Sequence, residues 1–267
     1  MLFETLEKAP GVFTTRDESH RRIEGIPGLR PADRGWTSNR LEAVDAVDRV
    51  VEQLSGAFIA DLKDRDGRPP SGRFRMLEKT PKNALRIPFF DAAWPDSQFV
   101  YLYREPRQTL ASMMEAWISG RFRTYPRLPT WTGPPWSLLL VPGWQELSGL
   151  PLPRVVARQW AITTERILDD LEAIPRQRVT SIDYQQLLAA PQQEMKRLAD
   201  ALGLDWDVRL DDGLALSRAT ISRPNPDKWR RFERDIEAVL PIVVDVDARA
   251  RRFVEAVAAA QPQTSQR

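Results

Sequence analysis

The chain has 267 residues, and its 39 Lys and Arg nearly balance its 37 Asp and Glu, so the formal net charge is +2. This balance gives no support to a nucleic-acid-binding protein that depends on bulk charge. The sequence has no cysteine and a single histidine, His20, which excludes disulfides, cysteine nucleophiles and histidine-rich metal centres.

The hydrophobic pattern predicts neither a signal peptide nor a membrane span. No basic segment leads into an apolar N-terminal stretch, and no run reaches about eighteen apolar residues. Cytoplasm is therefore the expected location. The length fits one large α/β domain over residues 1–267 better than two independent ones.

Apolar spacing and turn residues predict the elements of the N-terminal part. They are a short helix at 2–8, a polar loop at 14–31, a helix at 41–61, a turn-rich connector at 64–72, a strand at 74–77 and a helix at 84–90. The 41–61 helix is expected to bury one face, which includes Val44 and Val47.

The segment 98–117 is the most informative part of the chain. Residues 99–103 form a near-continuous apolar run of strand length, as expected for a parallel strand covered on both faces. Pro106 then suits the first turn of a helix. Arg104 is thus predicted at the carboxyl end of a strand, beside a helix N-terminus, where open parallel sheets bind their ligands. Ser112 follows about two helical turns later, and an arginine with a hydroxyl suits a phosphate group.

The C-terminal part continues with an irregular Pro- and Trp-rich insertion at about 125–153. Further predictions are a helix at 154–173, a strand at 179–182, a helix at 191–202, a Pro-containing loop at 221–227, a helix including 228–239 and a last helix at 246–260. Alternating strands and helices favour a three-layer α/β sandwich around a mainly parallel sheet.

The order strand, Arg-x-Pro-Arg, then a helical Ser eight residues after the first Arg resembles the 3′-phosphate-binding segment of sulfotransferases that use 3′-phosphoadenosine 5′-phosphosulfate (PAPS). The resemblance implies that Arg104 and Ser112 bind the 3′-phosphate of that sulfuryl donor. It implies the sulfotransferase fold of the P-loop NTPase-like type. It also implies a sulfuryl transfer that needs no metal. It covers most of the chain but leaves the insertion unmatched.

Three other segments are similar to the same family. Lys79, in Glu-Lys-Thr-Pro-Lys-Asn at 78–83, would touch the bridging oxygen between phosphate and sulfate. Tyr184, directly after the 179–182 strand, would line the adenine pocket. In Ser-Arg-Pro-Asn-Pro-Asp-Lys-Trp at 222–229, Arg223 and Lys228 would contact phosphate and Trp229 would pack the loop.

The resemblance puts the catalytic base in Asp-Glu-Ser-His at 17–20, with Glu18 as the first candidate and His20 as the second. A glutamate needs a raised pKa or tight geometry to act near neutrality, whereas a histidine titrates there. The acceptor is expected to be a small molecule, a carbohydrate or a peptide. Its pocket is expected to use the aromatic surface of Trp131, Trp136 and Trp144, which could alternatively form a homodimer contact.

The family's N-terminal strand and 5′-phosphosulfate loop have no counterpart in the sequence, so the domain is expected to be truncated at its N-terminus. Two alternatives to an active sulfotransferase follow. One is an inactive remnant that still binds nucleotide, and the other is a related nucleotide-dependent phosphotransferase. The latter would require a phosphate loop with a lysine and a magnesium carboxylate.

Overall fold

The computed structural model describes residues 1–210, 214, 225 and 227–260. Its α-helices are α1 (Leu2–Leu6), α2 (His20–Glu24), α3 (Asp48–Asp61), α4 (Ile87–Ala93), α5 (Pro106–Ser119), α6 (Leu152–Ala173), α7 (Tyr184–Ala189), α8 (Pro191–Leu202) and α9 (Glu233–Ala259). Its strands are β1 (Val12–Phe13), β2 (Arg75–Met76), β3 (Phe99–Tyr103), β4 (Arg123–Tyr125), β5 (Trp136–Ser137) and β6 (Val179–Asp183). None of these helices has the length and apolar character needed to cross a membrane.

The strands form three pairs within the described residues. β1 pairs with β2 and β3 with β6, both in parallel, whereas β4 and β5 are antiparallel. The predicted parallel α/β class is therefore confirmed. The prediction that the 99–103 strand is covered on both faces is wrong at Leu102, whose side chain is 38% exposed. Among the described strands β3 pairs only with β6, so the packing on β3 is less complete than in the centre of a wide sheet.

Two predictions in the N-terminal part are wrong. The loop at 14–31 contains α2, and the helix predicted from residue 41 begins only at Asp48. The backbone N–H of Glu42 donates to Asp45 Oδ2 at 2.8 Å and closes a short 3₁₀ turn ahead of α3. Val44 and Val47 consequently lie outside the helix and are exposed instead of buried.

The first of the two helices predicted at the C-terminus begins as a 3₁₀ helix, Lys228–Phe232, and from Glu233 onward the two are a single helix, α9, with Pro241 inside it. Proline removes one backbone hydrogen bond and usually ends or kinks a helix. Here the buried positions Val239, Val243 and Val246 keep helical spacing across Pro241, which itself lies at the surface. Burial of this continuous apolar face keeps the helix intact on both sides of Pro241.

The Pro- and Trp-rich segment 125–153 forms part of the largest core cluster. The exposed fractions of Trp136 and Trp144 are 0% and 2%, and Trp131 packs edge-on against Trp136 with ring centroids 4.9 Å apart. The prediction that these rings offer surface for an acceptor is therefore wrong for Trp136 and Trp144. Their indole N–H groups bond to backbone carbonyls of Leu139 and Trp36, so they pack as satisfied core residues.

Candidate functional site

Parallel pairing of β3 with β6 brings Arg104 and Tyr184 together. Tyr103 and Asp183 are partners in the register, so the next residue of each strand leaves the same edge of the sheet. The Arg104 guanidinium lies over the Tyr184 ring, 4.8 Å from its centroid. Arg104 Nη1 also lies 3.4 Å from Ser112 Oγ on α5. The three residues predicted from the sequence to share a nucleotide site are therefore neighbours.

The Arg104 guanidinium has donor capacity left over. Its Nε atom is buried without a hydrogen-bond partner, and burial lowers the pKa of Arg104. The adjacent carboxylate of Glu105 is engaged elsewhere, because it caps α5 by accepting from the backbone N–H of Gln108 at 3.1 Å. Arginine keeps its charge in proteins, so this arrangement suits a bound anion.

A second centre forms where Lys79, Glu18 and His20 meet. Lys79 Nζ lies 3.5 Å from Glu18 Oε1, and His20 Nδ1 lies 3.5 Å from Glu18 Oε2. All three side chains are between one third and one half exposed. The ammonium, the carboxylate and the imidazole are thus close together and open to solvent, as a centre that acts on a bound molecule requires.

The environment of His20 keeps its imidazole neutral at physiological pH. Burial lowers the pKa of His20 below its usual 6.5, and the Lys82 ammonium lowers it further. The carboxylates of Glu18 and Glu24 oppose this effect without cancelling it. A neutral imidazole can accept a proton, so the geometry leaves both Glu18 and His20 available as a base.

Helix α1 borders both centres. Met1 Sδ lies 3.3 Å from the Tyr184 hydroxyl, and the Lys79 ammonium lies 5.9 Å from the centroid of the Phe3 ring. Leu6 packs in the same core cluster as Ile182 of β6. Residues 1–3, at the start of this helix, therefore lie beside both Tyr184 of the first centre and Lys79 of the second.

The C-terminal candidates are only partly described. Arg223 lies outside the described residues. Lys228 Nζ forms an ion pair with Glu115 of α5, and Glu115 follows Ser112 by three positions, so the two side chains are neighbours on one helix face. Trp229 packs against the Arg107 guanidinium, 5.5 Å from its ring centroid. Lys228 and Trp229 therefore lie against the helix that carries Ser112.

Sequence reasoning missed a buried polar network beside the second centre. Lys82 Nζ donates to both carboxylate oxygens of Glu24, at 2.8 and 2.9 Å, and to the Tyr125 hydroxyl at 3.0 Å. Arg86, which is fully buried, donates to the same carboxylate at 2.8 Å, and Asn39 donates to Tyr125 at 2.6 Å. Burial lowers the pKa of Lys82 although Glu24 opposes it. The network ties α2, which begins at His20, to the core.

Metal ligands are not clustered in the part of the chain that the structure describes, since no three Asp, Glu or His side chains there are placed to share an ion.

The family relationship comes from comparison with known proteins. A family model described as "Sulfotransferase family" matches residues 2–137 and 139–208, well over half of the chain.

The chain belongs to the sulfotransferase family. The match runs through most of the 125–153 segment, so the expectation that this segment is unmatched is wrong. Among curated relatives, the chain is 20% identical over 222 residues to protein-tyrosine sulfotransferase 2 of Gallus gallus, which covers 80% of this chain and 51% of the relative. It is also 20% identical over 200 residues to protein-tyrosine sulfotransferase A of Caenorhabditis elegans, covering 72% and 44%.

The chain thus spans about half the length of these curated sulfotransferases. One solved structure that it resembles is a sulfotransferase domain from the curacin biosynthetic pathway. That comparison has a TM-score of 0.35 and 20% identity, and it covers 60% of this chain and 43% of the other.

Proposed function

We propose that this sulfotransferase moves a sulfuryl group from PAPS to a tyrosine hydroxyl of a peptide or protein. The observation that carries the proposal is the half-buried Arg104 guanidinium, whose Nε has no partner, beside Ser112 and over the ring of Tyr184. A buried donor without a partner is rare and calls for a ligand. A phosphate would accept from this donor, and the aromatic base of the same nucleotide would pack beside the Tyr184 ring.

In this proposal Arg104 and Ser112 hold the 3′-phosphate of the donor, and Tyr184 packs beside the adenine. Lys228 and Trp229, which lie against the same helix α5, close over the nucleotide together with Arg223. Lys228 is paired with Glu115 in the structure described here, so it would exchange that carboxylate for a phosphate on binding.

The proposed reaction is an in-line transfer. The tyrosine oxygen attacks sulfur, the bond between sulfur and the bridging phosphate oxygen breaks, and adenosine 3′,5′-bisphosphate leaves with the electron pair. Glu18 takes the proton of the hydroxyl, with His20 as the alternative base. Lys79 stabilises the negative charge that grows on the bridging oxygen, which is a charge larger in the transition state than in the ground state. No metal takes part in this scheme.

The acceptor assignment rests on the curated relatives, which are named protein-tyrosine sulfotransferases. A small-molecule or carbohydrate acceptor is the alternative. Competition between a tyrosine-containing peptide, its phenylalanine counterpart, a simple phenol and a sugar alcohol would separate these classes. We expect label from radiolabelled PAPS to appear in the tyrosine peptide and not in the phenylalanine peptide.

The nucleotide site is tested by calorimetry with adenosine 3′,5′-bisphosphate. Arg104→Ala should weaken binding by at least about 10-fold, because a hydrogen bond to a charged group is worth about 1.5–3 kcal/mol. Arg249→Ala is the matched control, since Arg249 pairs with Asp169 and Glu172 between α6 and α9 and should leave affinity unchanged. Equal affinity of wild type and Arg104→Ala would count against the site.

Binding without transfer would favour the alternative that the chain is an inactive nucleotide-binding remnant. The absence of the 5′-phosphosulfate loop stays a prediction of the family resemblance. Its test is to compare PAPS binding by the 267-residue chain with binding by a version extended through any in-frame upstream codons. A gain of transfer in the extended version would support the enzyme.

We also infer that the two parallel pairs belong to one sheet in a three-layer sandwich of the P-loop NTPase-like type. Leu77, directly after β2, and Val100 of β3 pack in the same core cluster. Arg75 of β2 donates to Gln98, next to β3, at 2.9 Å. A cytoplasmic location and a homodimer remain predictions, to be checked by cell fractionation and by light scattering.

A further inference from the structure

Two short segments are interlocked at the second centre, residues 18–20 and residues 78–80. Thr80 is extended, with φ −132° and ψ 130°, and side chains alternate between the two sides of an extended segment. Glu78 and Thr80 accordingly both contact Ser19, whereas Lys79 faces Glu18. One side of the 78–80 backbone therefore holds Ser19, and the other side presents Lys79 to Glu18.

Ser19 is held by two short hydrogen bonds. Its backbone N–H donates to Thr80 Oγ1 at 2.8 Å, and its hydroxyl donates to Glu78 Oε1 at 2.5 Å. Asn83 Nδ2 donates to the same carboxylate oxygen at 2.8 Å and so fixes Glu78. Ser19 itself is 0% exposed. We call Ser19, Glu78, Thr80 and Asn83 the Ser19 clamp.

The side chains on either side of Ser19 are held far less tightly. Glu18 contacts Lys79 and His20 only at 3.5 Å, and each of the three is substantially exposed. Contacts of this kind in solvent contribute little to stability and do not fix a geometry. The positions of Glu18 and His20 relative to Lys79 are therefore set by the backbone between them, and that backbone is fixed through Ser19.

We propose that the Ser19 clamp is a positioning device that holds the candidate bases Glu18 and His20 at the reaction distance from Lys79. The inference rests on the proposed function and adds three positioning residues to it, namely Glu78, Thr80 and Asn83. A displacement of about 1 Å at a reacting group can cost on the order of 100-fold in rate. Loss of the clamp should therefore lower turnover without touching the Arg104 site.

The approach of the chain to the clamp supports this interpretation. Arg16, two residues before Glu18, has φ +60°, a left-handed conformation that is uncommon for a residue with a side chain. Its Nη2 donates to the carbonyl of Asp64 at 2.8 Å. A loop in such a conformation persists only where its surroundings hold it, here through Asp64 on one side of Glu18 and the clamp on the other.

The test uses Thr80→Val, which keeps the shape of the side chain and removes the hydroxyl that accepts from Ser19. Thr80→Ser restores that hydroxyl. Thr163→Val is the matched control, because the Thr163 hydroxyl bonds to the carbonyl of Gln159 within α6, at 2.7 Å, away from both centres. Circular dichroism checks that each variant folds. If Thr80→Val does not fold, Glu78→Ala removes the other bond to Ser19.

The first measurement is kcat for transfer from PAPS to a tyrosine peptide, together with the Kd of adenosine 3′,5′-bisphosphate. We expect Thr80→Val to lower kcat by at least about 10-fold with Kd within about 2-fold of wild type. Thr80→Ser should recover most of kcat. Wild-type turnover in Thr80→Val, or an equal loss in Thr163→Val, would overturn the proposal.

The second measurement does not need activity. His20 is the only histidine of the chain, so its imidazole gives one titrating NMR signal. The charged groups that face it are Glu18, Glu24, Lys82 and Arg21. Release of the loop should raise the pKa of His20 towards 6.5 in Thr80→Val, and an unchanged pKa would overturn the clamp. A wild-type protein without transfer activity would contradict the proposed function alone, and this titration would still decide the clamp.

Discussion

The Lys79 ammonium and the Glu18 carboxylate lie 3.5 Å apart although 61 positions separate the two residues in the chain. The first follows β2 and the second precedes α2, so the fold and not local sequence brings them together. In the proposed transfer they act on the two oxygens that lie on opposite sides of the sulfur atom. Glu18 accepts the proton of the attacking oxygen, and Lys79 stabilises the charge of the departing one.

Lys79→Ala should therefore act on turnover rather than on nucleotide binding. Loss of one group that stabilises developing charge costs about 100- to 1000-fold in kcat. Lys79→Arg should retain part of the activity because it keeps the charge with a different shape. The measurement is steady-state transfer from PAPS, with bisphosphate affinity measured in parallel. A loss of affinity as large as the loss of kcat would show instead that Lys79 binds the ground state.

Lys82→Met should destabilise the protein strongly. It removes one of the two cations that pair with the Glu24 carboxylate in the buried network, and breaking a buried ion pair costs about 3–5 kcal/mol. The measurement is the free energy of unfolding in urea. Lys196→Met is the control, because Lys196 pairs with Asp200 on the exposed surface of α8, where the expected loss is under about 0.5 kcal/mol. Similar losses in the two variants would contradict this prediction.

Trp136→Ala should lower stability by about 3–5 kcal/mol, because the ring is fully buried among Trp117, Trp131 and Trp144. Bisphosphate affinity should stay unchanged in the folded variant. Ile118→Ala provides a comparison at an exposed apolar position of α5, where the change should be within about 0.5 kcal/mol. A stable Trp136→Ala protein with altered acceptor affinity would contradict this prediction and would indicate that Trp136 contacts the acceptor.

Histidine protonation should destabilise the fold at mildly acidic pH. The pKa of His20 is 6.5 in an unfolded chain and lower in the folded protein, so below 6.5 the unfolded state binds more protons. The contribution of His20 to the free energy of unfolding is present above 6.5 and falls as pH drops from 6.5 towards the folded pKa. His20→Gln removes this dependence. Urea unfolding of both proteins at about pH 7.5 and about pH 5.5 gives the difference, and a stability gap that moves in favour of wild type on acidification would contradict it.

Local sequence patterns predicted those elements whose boundaries are set by local chemistry. Helix α8 has the predicted bounds Pro191–Leu202, because proline suits its first turn and Gly203 adopts the left-handed conformation, with φ +63°, that ends it. The contact between Arg104 and Ser112 could likewise be predicted, since both belong to one strand-to-helix connection.

Features that depend on distant partners could not be predicted in this way. The burial of Lys82 requires Glu24 and Tyr125, which come from segments far apart in the chain. Taken locally, Pro241 predicts a helix break. Packing of Val239 and Val243 into the core keeps α9 continuous. The roles of Glu18, His20, Lys79, Arg104, Ser112, Tyr184, Arg223, Lys228 and Trp229 stay predictions that the experiments above address.

Helix α9 supplies Ile236, Val239, Val243 and Val246 to one core cluster and Ala250, Phe253 and Val257 to another. Neither cluster can open fully while this helix stays docked, and undocking it exposes both at once. The core cluster that contains the tryptophans of segment 125–153 and the cluster that contains Tyr103 of β3 and Val179 of β6 are thereby mechanically coupled. We expect amide hydrogens at Val243 and Ala250 to exchange with solvent through the same cooperative opening, at comparable rates.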